Sequence, residues 1–467
     1  MTTGPDARCL GVFHQYLAAM TAALSMLMIG MSTSWPSPVL PKILNNTSPV
    51  SMDTTEISWM VSLFFLGNTV SPIPVGWLMD KYGRKQIMYI CNVFPFSAWI
   101  ITYFATSPWP LYLARFLNGL WAGTAYTVCA VYIGEIAEPS IRGSLSNFNN
   151  LLKNAGGLCV FVVGPYISFE SLAIICGLVP TVFFFAALLI PESPYFLLMI
   201  NKRKEAKEAL RWLRGNKEES VLELELSNIH TAVLSQTANK GRFKDIFSDM
   251  ANRKAFIITM ILSVVKNLSG FDVMQAYTSI TLPADAFSSL GTKECVIILG
   301  VTSLASSVLS IFLLDRFPRR FLLILSSLGC GFMTLLAGCW FFLNENTDVN
   351  VQEFSQLPFY SFAFHAIVYS IGLGPIVASV KGEMFSANIK GLCSAITTLS
   401  YAILGFITTK IYLVVTESFG MYANYFIYTV GCFGGTIFIL LYVIETRGKT
   451  LHEIQMKLSK REKPNNV

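Results

Sequence analysis

A short charged turn occurs twice along the chain. Residues 76–85 read GWLMDKYGRK, in which an aspartate precedes Arg84 by four positions. Residues 315–320 read DRFPRR, in which Arg319 follows an aspartate at the same spacing, 235 residues further on. Two copies of one charged turn at such a separation indicate a chain built from two similar halves.

An acidic and basic pair is repeated in the same order. Glu135 is followed by Arg142, and Glu383 is followed at equal spacing by Lys390, with 248 residues between the two copies. The extra thirteen residues fit a longer loop around residues 344–356. We therefore expect two bundles of six spans, with both pairs at equivalent positions near the cytoplasmic surface. This is the architecture of transporters whose solute site lies between the halves.

The composition requires a membrane. Of 467 residues, 53% are apolar and only 13% charged, and the mean hydropathy is +0.54. Several uncharged stretches are about as long as the roughly 20 residues that cross a bilayer: 9–41, 57–79, 295–314, 321–344, 354–380 and 418–444. So little charge and so many aromatic residues exclude disorder, and no basic face suits nucleic acid. The sequence predicts an all-α membrane protein in contact with the lipid bilayer.

Twelve spans are predicted, and the basic residues orient them. Lys and Arg crowd into alternate loops, while the other set carries only Lys42 and Lys293, with Lys410 near that interface. The positive-inside rule then predicts a multi-pass protein of the cell membrane with both termini cytoplasmic. The net charge of +6 is an orientation signal. The predicted span centres lie near residues 25, 67, 96, 123, 160, 182, 269, 304, 334, 366, 400 and 431.

Two smaller features agree with this topology. Overlapping glycosylation sequons at Asn45 and Asn46 fall in the first predicted outside loop. A third match, at Asn267, lies inside a span. The ten cysteines have no paired spacing and fall mostly in spans, so neither a disulfide framework nor a zinc site is expected.

The loop joining the halves is the one substantial polar segment of the sequence. Residues 202–213 have helical spacing and allow an i,i+4 pair of Lys204 with Glu208. A basic amphipathic helix is suited to anionic lipid or a regulator, whereas a scaffold helix with a solvated face is the simpler interpretation. The predicted division is an N-terminal bundle over 1–190, a cytoplasmic linker with short helices over 191–254, a C-terminal bundle over 255–445 and a cytoplasmic tail over 446–467.

Five motifs in order resemble the sugar porter branch of the major facilitator superfamily over nearly the whole chain. They are the turn at 76–85, Arg115-x3-Gly119-x3-Gly123, Tyr132-x2-Glu135-x6-Arg142-Gly143, Pro191-Glu192-Ser193-Pro194 and Glu445-Thr446-Arg447-Gly448. Residues 34–41, SWPSPVLP, are similar to the end of span 1 in insect facilitated trehalose transporters. The resemblance implies the major facilitator fold of two six-helix pseudo-repeats.

The resemblance also implies a gate of carboxylates and arginines at cytoplasmic helix ends. Such groups bridge in one conformation and separate in the other. Lys390 stands where the family has arginine, so an ammonium replaces a guanidinium that can bind a carboxylate through two hydrogen bonds. The gate contact of the C-terminal half is therefore expected to be weaker. Pro318 for glycine and Ile444 for proline are further departures. The implied gate residues are Asp80, Arg84, Arg115, Glu135, Arg142, Asp315, Arg319, Arg320, Glu383 and Lys390.

The solute site departs most from the family. Sugar porters place two glutamines, a glycine and an asparagine in span 7, and only Gly270 is kept here. Ala378 stands for a tryptophan in span 10, and Tyr401 for an asparagine in span 11. Because an unmatched buried hydrogen-bonding group costs about 1–3 kcal/mol, the selectivity should change. The candidate substrate-binding residues are Asn150, Lys153, Lys266, Asn267, Asp272 and Gln275.

The three embedded charges admit two interpretations. Asp272 and one lysine form a structural ion pair, or one of Lys153 and Lys266 makes the cavity electropositive and favours a carboxylate or phosphate. Mutating Lys266 to Gln and Asp272 to Asn, which restores the family's residue types, distinguishes these interpretations.

The sequence therefore predicts a facilitative uniporter with alternating access, carrying a sugar such as trehalose or a hexose. Residues 11–41 contain no carboxylate, whereas proton-coupled members tend to have one in span 1. A carrier of charged or zwitterionic solutes, or a non-transporting nutrient receptor, remains an alternative. The four histidines have no triad or metal spacing, so neither an enzyme nor a cofactor is expected. His365, inside span 10, is interpreted as a hydrogen-bonded core residue, with a proton relay as the alternative.

Overall fold

Helices provide all the regular structure in the described part of the chain. The computed structural model describes residues 5–138, 140–215, 218–238, 243–283, 291–385, 389–447, 449 and 451–459. The helices are α1 (Pro5–Ser34), α2 (Pro36–Leu44), α3 (Thr54–Val70), α4 (Pro72–Tyr82), α5 (Arg84–Cys91), α6 (Val93–Tyr103), α7 (Pro108–Ile136), α8 (Arg142–Val163), α9 (Phe169–Leu189), α10 (Pro194–Met199), α11 (Arg203–Arg214), α12 (Glu219–Ala238), α13 (Asp245–Ser248), α14 (Met250–Leu268), α15 (Phe271–Thr281), α16 (Thr292–Arg316), α17 (Arg319–Asn346), α18 (Leu357–Ile371), α19 (Leu373–Met384), α20 (Lys390–Phe419), α21 (Met421–Tyr442) and α22 (Leu451–Ser459), with a 3-10 turn at Gln352–Phe354.

The long helices account for the predicted spans. Among the described residues, nine helical stretches are long and apolar enough to cross a membrane, or ten if α3 and α4 form one span bent by 44°. The bend falls at Ser71, directly before Pro72, which has no N–H to continue the helical ladder. The pair α5 and α6, interrupted at Asn92, and helix α8 stand at the two remaining predicted spans.

The chain divides into two compact units. Unit 1 comprises Met1–Trp35, Lys42–Ser51 and Leu63–Lys240. Unit 2 comprises Pro36–Pro41, Met52–Ser62 and Gly241–Val467. The linker helices α10 to α12 fall in unit 1, and the boundaries predicted from the sequence stay a prediction.

Helices α1 and α8 of unit 1 approach until their backbones touch. A Cβ atom on Gly30 would lie 1.8 Å from the carbonyl oxygen of Lys153. A Cβ atom on Gly156 would lie 2.1 Å from the carbonyl oxygen of Leu27. Both distances are far inside van der Waals contact, so only glycine permits this packing. This packing fixes the backbone of α8 against α1 at Lys153.

The basic linker helix α11 packs on the bundle. The Trp212 ring stacks on His14 with centroids 4.3 Å apart, and His14 Nδ1 lies 2.6 Å from the Trp212 carbonyl oxygen. Arg214 is buried, donates to the Ile136 carbonyl at 3.0 Å and pairs with Glu225 at 2.7 Å. These contacts tie α11 to α1 and α7 and favour the scaffold interpretation over a lipid-bound helix.

Ion pairs join α11 to α12. Three basic residues spaced one turn apart on α11 contact two glutamates of α12: Arg203, Lys207 and Arg211 with Glu219 and Glu223. The hydrogen bonds from these basic side chains, that of Lys207 first, lower the pKa of both glutamates. Within the described residues, Lys204 and Glu208 form no ion pair with each other. These basic residues of α11 therefore form ion pairs with α12.

We expect Gly156→Ala to lower the melting temperature by several degrees, because the added methyl overlaps the Leu27 carbonyl and α1 must move away. Gly134→Ala is the matched control, because no atom lies within 4 Å of its added methyl. That control should be neutral or slightly stabilising, since alanine is the better helix former. Thermal unfolding in detergent, followed by circular dichroism, measures both variants. Equal melting temperatures would contradict the close packing of α1 and α8.

Candidate functional site

The seventh predicted span is broken at Gly270, between α14 and α15 of unit 2. Gly270 has φ +78°, and a Cβ atom there would lie 2.5 Å from the Tyr428 ring, so both backbone and space require glycine. Lys266 lies in the last turn of α14, and Asp272 lies in the first turn of α15. A cation at a helix C-terminus and an anion at a helix N-terminus are both stabilised by the helix dipole. The break therefore accommodates both charges.

A buried histidine is the hydrogen-bond partner of a backbone carbonyl at the break. The Ser269 carbonyl oxygen lies 2.9 Å from Nε2 of His365, which is 1% exposed. The Phe271 and Tyr369 rings stack 4.0 Å apart beside His365. These contacts support the predicted role of His365 as a hydrogen-bonded core residue.

Tyr401 of α20 connects the two charges of the break. Its hydroxyl donates to the Asp272 carboxylate, and its ring lies 5.5 Å from the Lys266 ammonium. That ammonium also donates to the Gly374 carbonyl of α19 at 2.9 Å. Polar contacts thus join three predicted spans at the level of the break.

The other two candidates of unit 2 differ in their hydrogen bonding. Asn267 is 5% exposed, donates to the Tyr401 carbonyl at 3.1 Å and accepts from Thr408 at 3.0 Å. Gln275 lies one turn beyond Asp272 on α15, and its buried Oε1 accepts no hydrogen bond from the described residues. Asn267 therefore holds α14 against α20, while Gln275 keeps an acceptor available.

The two remaining candidates belong to unit 1. Asn150 and Lys153 are half-buried and lie one turn apart on α8. Such a spacing places them on one helix face. Gly30 of α1 packs against the Lys153 carbonyl, and this contact fixes the position of the α8 backbone at Lys153.

A charged cluster lies where α4 meets α5 in unit 1. The Arg84 guanidinium donates to one Glu135 carboxylate oxygen from Nε at 3.2 Å and from Nη2 at 2.9 Å, and lies 3.4 Å from Asp80. The Glu192 carboxylate accepts the backbone N–H groups of Arg84 and Lys85 at 3.1 Å, at the start of α5. We call Asp80, Arg84, Glu135, Glu192 and Ser193 the Glu192 cluster, in which Ser193 donates to Glu135.

A second cluster repeats this arrangement at the start of α17 in unit 2. The Glu445 carboxylate accepts the backbone N–H groups of Arg319 and Arg320 at 3.0 Å. The Arg319 side chain lies 3.8 Å from Glu383. We call Arg319, Arg320, Glu383, Glu445 and Arg447 the Glu445 cluster. Helix α5 begins after Gly83, which has φ +108°, whereas α17 begins after Pro318. The replacement of glycine by proline therefore changes the turn, but a glutamate carboxylate still accepts the first backbone N–H of the helix.

Several predicted gate residues lie close together within each unit, whereas Arg115 lies apart from them, and the gate itself stays a prediction. Arg115 lies twenty residues before Glu135 on α7, about 30 Å along the axis. It is buried, donates to the Ser32 carbonyl at 2.5 Å and lies 5.1 Å from the Phe64 ring. The side chains of three further predicted gate residues lie outside the described residues: Arg142, Asp315 and Lys390.

Glu192 and Glu445 were missed as partners of the gate arginines. Both follow directly after the last predicted span of their half, and this shared position could have identified them from the sequence. Burial alone would raise the pKa of Glu445, but the backbone N–H donors of Arg447, Arg320 and Arg319, with the charge of Lys449, outweigh it. The pKa of Glu445 therefore lies below its ordinary value.

A lowered pKa in the folded state means that ionised Glu445 stabilises the fold above its unfolded pKa of about 4.3. That stabilisation is lost as pH falls through the folded pKa. We expect Glu445→Gln to lower the melting temperature at pH 7, and the difference from wild type to shrink steadily below about pH 4.3. The exposed Glu353→Gln is the control and should match wild type throughout. A difference that stays constant down to pH 3 would contradict the role assigned to the carboxylate.

Comparison with known proteins gives the family. The profile of the sugar (and other) transporter family matches residues 17–458. The facilitated trehalose transporter Tret1 of Polypedilum vanderplanki is 30% identical over 455 residues, covering 97% of this chain and 90% of that protein. Tret1 of Bombyx mori is 30% identical over 456 residues, covering 96% and 88%.

Solved structures give the fold. The xylose transporter XylE from E. coli, in a partially occluded inward open conformation, superposes with a TM-score of 0.79 at 20% identity, covering 94% of this chain and 100% of that chain. The proton:xylose symporter XylE bound to 6-bromo-6-deoxy-D-glucose gives 0.77 at 20% identity, covering 96% and 99%. The twelve-helix major facilitator fold, implied by the resemblance and consistent with the repeats, is confirmed. The chain belongs to the sugar (and other) transporter family, and it is a membrane transporter of the sugar porter type rather than an enzyme.

Proposed function

We propose that this protein carries a sugar such as trehalose or a hexose by facilitated diffusion, without proton coupling. The observation that carries the proposal is the polar cluster at the broken seventh span, where Tyr401 of α20 contacts both Lys266 and Asp272. Carriers place their solute sites at such breaks. The names of the Tret1 relatives support trehalose, and the absence of a carboxylate in residues 11–41 supports passive transport.

The roles within the site follow from the contacts. Asp272 and the available Oε1 of Gln275 are proposed to accept hydrogen bonds from sugar hydroxyls, and Lys266 is proposed to donate one. The contacts of Asn267 favour a positioning role. Asn150 and Lys153 of unit 1 remain proposed sugar contacts on their correspondence with the family. Alternating access, expected from the repeat, is the proposed mode of transport.

Uptake by purified protein in proteoliposomes tests the proposal. We expect labelled trehalose or glucose to equilibrate without accumulating, and a protonophore to leave the rate unchanged. Tyr401→Phe should reduce uptake about tenfold or more, because a hydrogen bond to a charged group contributes about 1.5–3 kcal/mol. Tyr442→Phe, at an exposed tyrosine at the end of α21, is the matched control.

Three outcomes would contradict the proposal. Accumulation that collapses with the protonophore would indicate proton coupling. Sugar binding without flux would favour the receptor alternative. Uptake of amino acids or other zwitterions in place of sugars would favour the charged-solute alternative.

The proposal places the protein in the cell membrane with both termini and both charged clusters on the cytoplasmic side. Asn45 and Asn46 follow α2, are exposed and are proposed to carry a glycan in the first outside loop. We expect glycosidase treatment of the protein from insect cells to increase its gel mobility. The double variant Asn45→Gln with Asn46→Gln should abolish that shift. Asn350→Gln, an exposed asparagine outside any sequon, should keep it. A shift that survives the double variant would contradict the assignment.

A further inference from the structure

Helix α19 of unit 2 has one face outside the core of its unit. Its core face is buried and comprises Leu373, Ile376, Val377, Val380 and Met384. The other face includes Gly374, Ala378 and Lys381, at positions i, i+4 and i+7. Ala378 is exposed in the middle of an otherwise apolar span. This face therefore lies outside the packed core of unit 2.

Lys381 is a fourth charge in a predicted span. It lies in the last turn of α19 and is half-buried. Among the described residues, its ammonium contacts no carboxylate and no hydrogen-bond acceptor. By contrast, the Lys410 ammonium of α20 donates to Ser58 at 2.7 Å and lies 4.1 Å from the Trp59 ring. Charges within a bilayer are costly and mark solute or ion sites.

Two ammonium groups lie along the same face of α19. The Lys266 ammonium is held at the Gly374 carbonyl, and Lys381 is two turns further along, about 10 Å. The small side chain of Ala378 between them leaves space over the helix. The charges of the break and of this face of α19, which are Lys266, Asp272 and Lys381, sum to one positive charge.

We propose that this face of α19 recognises a sugar that carries one carboxylate, such as a hexuronate. The Lys381 ammonium pairs with the carboxylate of the solute, while the hydroxyls at the other end of the ring reach Lys266, Tyr401 and Asp272. A flexible four-carbon stem lets a lysine follow the carboxylate over this distance. A monoanion matches the single excess charge, whereas a phosphate dianion leaves one charge uncompensated in a weakly polar site. The proposal rests on the proposed function, since it names the class of sugar.

The experiment compares glucuronate with glucose as inhibitors of labelled glucose uptake in proteoliposomes at pH 7. In wild type, we expect glucuronate to inhibit at a lower concentration than glucose. Lys381→Gln should raise the glucuronate concentration for half inhibition about tenfold and change that for glucose less than twofold. Lys381→Arg should retain the glucuronate preference because it retains the charge. Lys293→Gln, at an exposed lysine of α16, is the matched control and should behave as wild type.

The outcomes separate this proposal from the proposed function. Absence of any sugar uptake by wild type would overturn the proposed function itself. Uptake of glucose with no inhibition by glucuronate would overturn only the acidic-sugar proposal, and this wild-type result does not depend on the folding of a variant. Equal loss of both sugars in Lys381→Gln, or stronger inhibition by glucose 6-phosphate than by glucuronate, would also overturn it.

Discussion

Backbone polar groups inside a bilayer must find hydrogen-bond partners within the protein. Helices satisfy this requirement along most of this chain, and the breaks show what happens where a helix stops. At Gly270 the Ser269 carbonyl is paired with His365, and the Ser269 hydroxyl donates to the Lys266 carbonyl. The break is tolerable because specific side chains surround it. The same side chains then fix where the polar groups of the site lie.

Helix ends solve the related problem of placing charge in this protein. Lys266 and Asp272 each lie at the end of a half-helix whose dipole stabilises them. Glu192 and Glu445 lie outside α5 and α17, and their carboxylates accept the first backbone N–H groups of these helices. An arginine in the first turn of each of these helices then pairs with a carboxylate, Glu135 or Glu383. The two halves thus share a physical arrangement that survives differences in the turn residues.

The fold could be predicted from the sequence because its determinants are local or periodic. Apolar stretches, the distribution of basic residues and the repeated turn are all legible without contacts. The partners in the site could not be predicted, because they depend on which helices meet. Only the resemblance places Arg115 in the gate, and in the structure Arg115 and Glu135 lie near opposite ends of the 29-residue helix α7. Lys381 is not among the residues predicted from the sequence, because it follows directly after the apolar stretch 354–380 and matches none of the motifs.

The departures from the sugar porter pattern change the balance of donors and acceptors at the site. Glutamine and asparagine side chains both donate and accept, which suits hydroxyl groups, whereas an ammonium only donates. Lys266 replaces an amide in α14, and Lys381 adds a second ammonium in α19 beside Ala378. Near the break, Asp272 accepts from Tyr401, and Gln275 Oε1 accepts no hydrogen bond from the described residues. Such a donor-rich face hydrogen-bonds best to a solute that offers acceptors. The carboxylate of the proposed acidic sugar would supply them and leave the sugar hydroxyls for the proposed contacts at the break.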